Sequence, residues 1–321
     1  MIVDKLKIAL VSSVALMALS GCGGSDDSTA GGTTPGTTFA TLDVPAAEAT
    51  ADNAVEAVDI IFDAEGISDI GGILAVSDTQ DIGFDSASFA MKVLNDTRKI
   101  TNDTHALNQT FSDSFPCTDG GTISSTESST STSANVTLSY NNCSEFGITS
   151  NGTMTASFTG TNYGETISSM SMTFTTDYTS SGAYSETVHA GSYLSVNFTT
   201  PLNYTSDAAS GTVTSSIWFE ELGENMRYDD LIIDFSEDGF GNGTECYRNG
   251  RIYINNLAAY MDIDSTYDTS CTNEFVITND SVISGSTRLL GSNGSTVLVQ
   301  VIAPDTFLAT DDSGNTLQTT N

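Results

Sequence analysis

From about residue 111 onward the side chains alternate between apolar and polar, and no other feature of the chain limits its fold so tightly. Val136, Leu138 and Tyr140 alternate with polar neighbours, as do Met154, Ala156 and Phe158. Met170, Met172 and Phe174 repeat the pattern, followed by Leu194, Val196 and Phe198, and near the end by Val297, Val299 and Val301. Successive side chains of a strand point to opposite faces, so this period predicts strands with one buried and one wet face, in antiparallel sheet. Several runs open on Gly followed by Ser or Thr: Gly121-Thr122, Gly152-Thr153, Gly191-Ser192, Gly211-Thr212, Gly285-Ser286 and Gly294-Ser295. Glycine supplies the positive φ of a hairpin turn, which gives an expectation of roughly ten to twelve strands over 111–321.

The segment 41–110 carries a different period. Asp43 is placed to cap a helix, with Pro45 in its first turn, where a missing N–H costs nothing. Ala47, Ala51, Val55, Val58 and Phe62 then recur at spacings of three and four, and Gly66 can end the helix. A second helix is expected from Asp85, with Phe84 and Phe89 as a hydrophobic staple and Lys92, Arg98 and Lys99 in its later turns. Between them Gly71 to Val76 reads as a short apolar turn. Such helices need an apolar face to cover, and the sheet offers one. The expected fold is therefore α+β, mainly β: two N-terminal helices packed on a long curved antiparallel sheet, open or closed like a barrel, forming one body.

Ahead of these, Lys5 and Lys7 precede an apolar run from Ile8 to Leu19 that is too short to span a bilayer, which takes about 20 apolar residues. Residues 1–21 read as a signal peptide. Leu19-Ser20-Gly21-Cys22 is similar to the lipobox of bacterial lipoproteins, which implies acylation of Cys22, anchoring in a lipid bilayer and, with Gly23 next, sorting to the outer membrane. Residues 22–40, rich in Gly, Ser and Thr, read as the lipidated cysteine and a flexible tether. The full chain has formal charge −32; losing Lys5, Lys7 and Asp4 with the signal peptide leaves 7 basic against 40 acidic side chains, or −33. A surface of that sign repels nucleic acid and anionic headgroups, so nucleic acid is excluded as a partner.

With Cys22 acylated, four cysteines remain and permit three pairings. Cys117 and Cys246 each begin a C-x-x-x-G-x-I segment, and Cys143 and Cys271 follow at near-equal spacing. The spacing favours bridges Cys117–Cys143 and Cys246–Cys271, as expected beyond the inner membrane, and the echo suggests a duplicated β unit.

Several stretches together resemble a family of uncharacterised lipobox-containing lipoproteins of marine and related gammaproteobacteria. They are Phe115-Pro116-Cys117-Thr118-Asp119-Gly120-Gly121, Leu138 to Cys143, Asn151 to Met154, Ser284-Gly285-Ser286, Gly291 to Val297 and Asp311 to Asn315. The resemblance runs loosely from the lipobox to the C-terminus and implies a structural plan without lending an activity. The chain departs from the family at its end, where relatives often carry a more acidic Asp/Gly turn.

Catalytic signatures are missing from the sequence. His105 and His189 stand far apart and the cysteines lack C-x-x-C spacing, which argues against zinc. No G-x-S-x-G elbow or phosphate-binding loop occurs, and the abundance of acids makes any carboxylate pair uninformative. Asp234, Glu237, Asp238, Asn242 and Glu245 surround three glycines and offer oxygen ligands for calcium, though not at the spacing of a calcium loop. Trp218, between Ile217 and Phe219, reads as a core residue. No catalytic residue, metal or cofactor is expected. The expectation is a non-enzymatic outer-membrane lipoprotein that is structural or binds an envelope protein or glycan. The alternatives are a carrier with an apolar cavity lined by Met170, Met172 and Phe174, and a hydrolase with unidentified carboxylates.

Overall fold

A computed structural model describes residues 42–63, 110–117, 119–145, 148–160, 166–182, 185–203, 208–221, 224–238, 242–279 and 281–320. Helix α1 spans Ala51–Asp63. The first strands are β1 (Thr110–Pro116), β2 (Gly120–Ser129), β3 (Ser133–Glu145), β4 (Ile148–Thr159), β5 (Thr166–Phe174) and β6 (Tyr178–Ser181). There follow β7 (Ser185–Val188), β8 (Tyr193–Asn203), β9 (Ala209–Glu221), β10 (Glu224–Glu237), β11 (Asn242–Ile254) and β12 (Ala259–Ile263). The last are β13 (Phe275–Thr278), β14 (Ser281–Ser284), β15 (Ser286–Leu290), β16 (Thr296–Ala303), β17 (Thr306–Asp311) and β18 (Thr316–Thr320).

All strand pairings are antiparallel and follow the chain as a meander. Segments β5 and β6 both pair with β4, and β7 and β8 both pair with β9. Each couple is one long strand broken by a short insertion, at 175–177 and at 189–192. The same device recurs where β12 and β13 share β11, with a longer excursion over 264–274. Register shifts near Asn142 and Asp230, both at positive φ, add bends in β3 and β10. Bulges of this kind increase local twist and curve a sheet. Among the described residues no pairing joins β1 to β18, and the sheet is large and curved rather than a clean barrel.

The alternation seen in the sequence sorts the two faces. Met154, Ala156 and Phe158 of β4 are buried beside Met170, Met172 and Phe174 of β5 and Leu194 and Val196 of β8. Further along, Val213, Ile233, Ile252, Val297 and Val299 continue the same apolar layer. Two of the glycines expected to open strands lie inside them instead. Gly152 sits within β4 at φ +131°, and a Cβ there would stand 2.7 Å from the Tyr178 Cα, so the glycine lets the interrupted neighbour strand approach. Gly211 is within β9, against the Asn197 carbonyl.

Helix α1 begins later than Asp43. The Pro45 carbonyl accepts from the Tyr260 N–H and the Ala47 N–H donates to the Tyr260 carbonyl, so 45–47 runs extended beside β12. The segment then passes Gly291, where a Cβ would meet the Ala49 nitrogen at 2.3 Å. Thr50 is the cap: its Oγ1 accepts from the Asn53 N–H at 3.3 Å. The helix packs on β11, β16, β17 and β18 with Ala51, Ala54, Ala57, Val58, Ile60 and Ile61 buried. Small alanines at the contact let its backbone come close to the sheet. Gly66, the apolar turn at 71–76 and the helix expected from Asp85 lie outside the described residues.

Cys117 is bonded to Cys143 and Cys246 to Cys271, with sequence separations of 26 and 25. The two C-x-x-x-G-x-I segments nevertheless differ in structure. Cys117 to Ile123 turns from β1 into β2, whereas Cys246 to Ile252 runs within β11 alone. The bridges also lie on different faces. Cys143 pairs with Ser150, on the apolar side with Met154, while Cys246 pairs with Asp234 on the polar side. The duplication suggested by the spacing has no counterpart in these local structures.

Candidate functional site on the polar face of the sheet

The face opposite the apolar layer has two chemically distinct halves. Over β9 to β15 it is ionic. Trp218 of β9 is directly opposite Arg227 of β10, which is opposite Tyr253 of β11, which is opposite Tyr260 of β12. The Arg227 guanidinium lies 5.5 Å from the Trp218 ring centroid and 4.9 Å from that of Tyr253, within cation–π range, and the residue has no exposed surface. Asp229 holds it in a bidentate pair, accepting from Nε at 2.8 Å and Nη2 at 2.9 Å, and also accepts from the Tyr253 hydroxyl at 2.8 Å. Burial, then the bond to Asp229, pushes the Tyr253 hydroxyl up to about 12.

The other described arginines are likewise paired with aspartates, two of them against a tyrosine ring. Arg251 donates to Asp262 at 2.9 Å and stacks 3.7 Å from the Tyr260 centroid; the carboxylate bond raises its pKa further. Arg288 donates to the buried Asp264 at 2.6 Å and lies 5.0 Å from Tyr267. Burial alone would raise Asp264, but hydrogen bonds from Thr266 and Arg288 outweigh it and hold the carboxyl below its usual range. Arg248 donates to Asp234 at 2.8 Å and reaches Cys271 Sγ at 3.5 Å, tying the 264–274 excursion to the sheet. Every arginine among the described residues thus has a carboxylate partner.

His189 closes the row at its β8 end. Its ring centroid lies 4.1 Å from that of Trp218, with Nδ1 3.7 Å from Asp177 and Nε2 3.9 Å from Glu220. Trp218 is therefore flanked by His189 from one side and Arg227 from the other, and its Nε1 donates to Asn225 at 3.1 Å. It is a polar-face residue rather than a core one, because its neighbours Ile217 and Phe219 take the apolar side.

Over β2–β5, β8 and the 212–216 stretch of β9 the same face has three cross-strand rows without charge; Glu220, further along β9, lies outside them. One cross-strand row runs Ser128, Asn135, Ser157, Ser171, Ser195, Thr214. The next runs Ser112, Thr126, Thr137, Thr155, Thr173, Tyr193, Ser216. A third runs Ser133, Thr159, Ser169, Asn197, Thr212. Within the field Ser157 Oγ donates to Asn135 Oδ1 at 2.7 Å, and Thr153 Oγ1 donates to Ser139 Oγ at 3.1 Å. At β10 the rows meet charge, where Asp230 accepts from Tyr193 and Asp234 accepts from Thr212 at 2.6 Å.

The five residues considered for calcium do not converge. Asp234 faces the polar side and serves Thr212 and Arg248. Asp238 accepts from the Asn242 backbone N–H and side-chain amide to close the β10–β11 hairpin. Glu245 is buried on the apolar side and accepts from the Tyr247 hydroxyl at 3.0 Å; burial and that carboxylate hold the Tyr247 hydroxyl well above its usual value. Glu237 ends β10. Among the described residues no group of three or more His, Cys, Asp or Glu is placed to hold a metal ion. Cys22 and His105 lie outside the described residues.

Both polar halves escaped sequence reasoning, since Trp218, Arg227, Tyr253 and Tyr260 meet only through strand pairing. The one linear hint was that all four arginines after residue 220 share the chain with nearby aspartates. Compared with known protein families, with curated proteins and with solved structures, the chain matches none.

Proposed function

We propose that the protein is a lipid-anchored envelope lipoprotein, held in the outer membrane through acylated Cys22, that presents its sheet as a non-catalytic binding surface. The observation that carries this reading is the run Leu19-Ser20-Gly21-Cys22 behind a charged and apolar leader. The two disulfides support it, since such bridges persist where thiols are not kept reduced. In this reading the helix expected from Asp85 joins α1 over the apolar layer. The described arginines, each matched to an aspartate, supply order to the polar face rather than reactive groups. A carrier would need space beside Met170, Met172 and Phe174, and all three are buried in the contiguous core.

Replacing Cys22 by Ser should abolish acylation and move the protein from the membrane pellet to the soluble fraction. Mass spectrometry of the mature N-terminus should find an acylated cysteine in the wild type. Undiminished membrane retention of the Cys22→Ser variant would sink the reading.

A further inference from the structure

We propose that the uncharged field over β2–β5, β8 and β9 binds a neutral polysaccharide chain. The proposal rests on the envelope reading above, which places the sheet among extracytoplasmic polymers. Its starting point is the distribution of charge. The chain carries 41 acidic side chains, yet Ser, Thr and Asn fill the cross-strand rows there with one Tyr and no charge at all. Elsewhere the strong negative field turns away anionic polymers. On this half a neutral polymer can make close contact without desolvating an ion, which is the costly step for a charged surface.

The chemistry is matched as well as the charge. Hydroxyls and side-chain amides donate and accept, as sugar hydroxyls do. Neighbouring strands lie about 4.8 Å apart, and alternate residues about 6.7 Å apart along each strand, so the field repeats in two directions. A polymer of identical units can meet such a repeat many times over, and the individually weak bonds then add through effective concentration. The β-branched threonines Thr137, Thr155 and Thr173, aligned on three adjacent strands, have little rotamer freedom to lose. Sheet twist of roughly 20–25° per strand rules out a flat crystalline partner and suits a single flexible chain lying along a row.

The test uses the full chain in detergent, run by affinity electrophoresis through gels containing dextran, mannan, a β-glucan or, as anionic control, alginate. At least one neutral polysaccharide should retard it, alginate should not, and raising salt from about 50 to about 500 mM should leave the retardation unchanged, as no ion pair is involved. Ser171→Glu, in the middle of the field, should weaken retardation at least about tenfold, and Ser171→Ala less. Circular dichroism confirms that both variants are folded. Absence of retardation in all three neutral gels overturns the proposal, as does a folded Ser171→Glu variant that behaves like wild type. Self-association through this face, seen by light scattering as a dimer that Ser171→Glu dissociates, would also overturn it. Membrane fractionation scores the anchor separately: a protein released by Cys22→Ser but indifferent to every gel leaves the lipoprotein reading standing.

Discussion

The ionic and neutral halves of the polar face solve one problem in two ways. A wet sheet face must satisfy its side chains without a core to hold them. In the three rows over β2–β5, β8 and the start of β9 this is done with uncharged, mostly short hydroxyl and amide side chains, some of which bond to one another. Over β9–β15 it is done with long cations clamped between carboxylates and aromatic rings, and Arg227 is driven fully out of solvent. The first arrangement tolerates change and leaves the surface available. The second concentrates energy in a few pairs. The lesson is that exposure of a face does not predict how strongly its residues hold the fold; the partner set does.

The contrast breaks most visibly at Asp229. Asp229→Ala leaves the buried Arg227 cation without its bidentate carboxylate and the Tyr253 hydroxyl without its acceptor. Removing one member of a buried pair costs about 3–5 kcal/mol. Thr155→Val, on the neutral half, should stay within about 0.5 kcal/mol. Urea midpoints of the two variants measure the gap, and comparable losses would mean that the two halves are not different in kind.

The disulfides sharpen it: each lies among the strands of one half, Cys117–Cys143 on their apolar side and Cys246–Cys271 on their polar side. Both close loops of about 25 residues, so loop entropy gives each about 3–4 kcal/mol, and Cys→Ala pairs at either bridge should cost similar amounts. Their accessibility differs: Cys117 and Cys143 are both buried, while Cys271 is half-buried on the polar side. Thiol exchange needs access to a sulfur. Graded dithiothreitol followed by alkylation and peptide mapping should therefore open Cys246–Cys271 first. Earlier loss of Cys117–Cys143 would contradict this ordering.

How much of this was legible in the sequence follows from which interactions are local. Alternation at Met154–Ala156–Phe158 and Met170–Met172–Phe174 reports the face of a strand directly, and those residues are core. The cysteine spacings pointed to the pairings that form. The helix start was misplaced because Pro45 and Ala47 are taken up by Tyr260, more than 200 residues away, and nothing near Asp43 signals that. The glycine rule failed at Gly152 and Gly211, which relieve close approach in mid-strand rather than opening a hairpin. Trp218 was assigned to the core from its apolar neighbours, although strict alternation around Ile217 and Phe219 already put it on the other face. The cross-strand rows needed the register, and the register is set by insertions such as 175–177 and 189–192 that sequence periodicity does not reveal.

The smallest effect separates the halves by pH. In the folded chain the Asp264 carboxyl is held below its ordinary value of about 3.9, and Asp268 is depressed too: burial works against it, but backbone N–H groups of Thr272 and Asn273 outweigh that. A carboxyl depressed on folding contributes stability that is complete above the unfolded value and is lost as pH falls through the folded one. The ionic half should therefore weaken below about pH 4, whereas the hydroxyl field has nothing to titrate there. Asp264→Asn keeps an acceptor near Thr266 and Arg288 but cannot ionise, so its urea midpoint should lie below wild type at pH 6 and converge on it toward pH 3. Ser171→Ala should run parallel to wild type over the same range. At the alkaline end the sense reverses for Tyr253. Its hydroxyl is raised to about 12, so the stability it adds is complete below its ordinary value of about 10 and lost as pH rises through 12. Tyr253→Phe should be less stable at pH 8 and flatter above pH 10. A constant offset between Asp264→Asn and wild type from pH 6 to pH 3 would show that its carboxylate does not carry the acid sensitivity of this half.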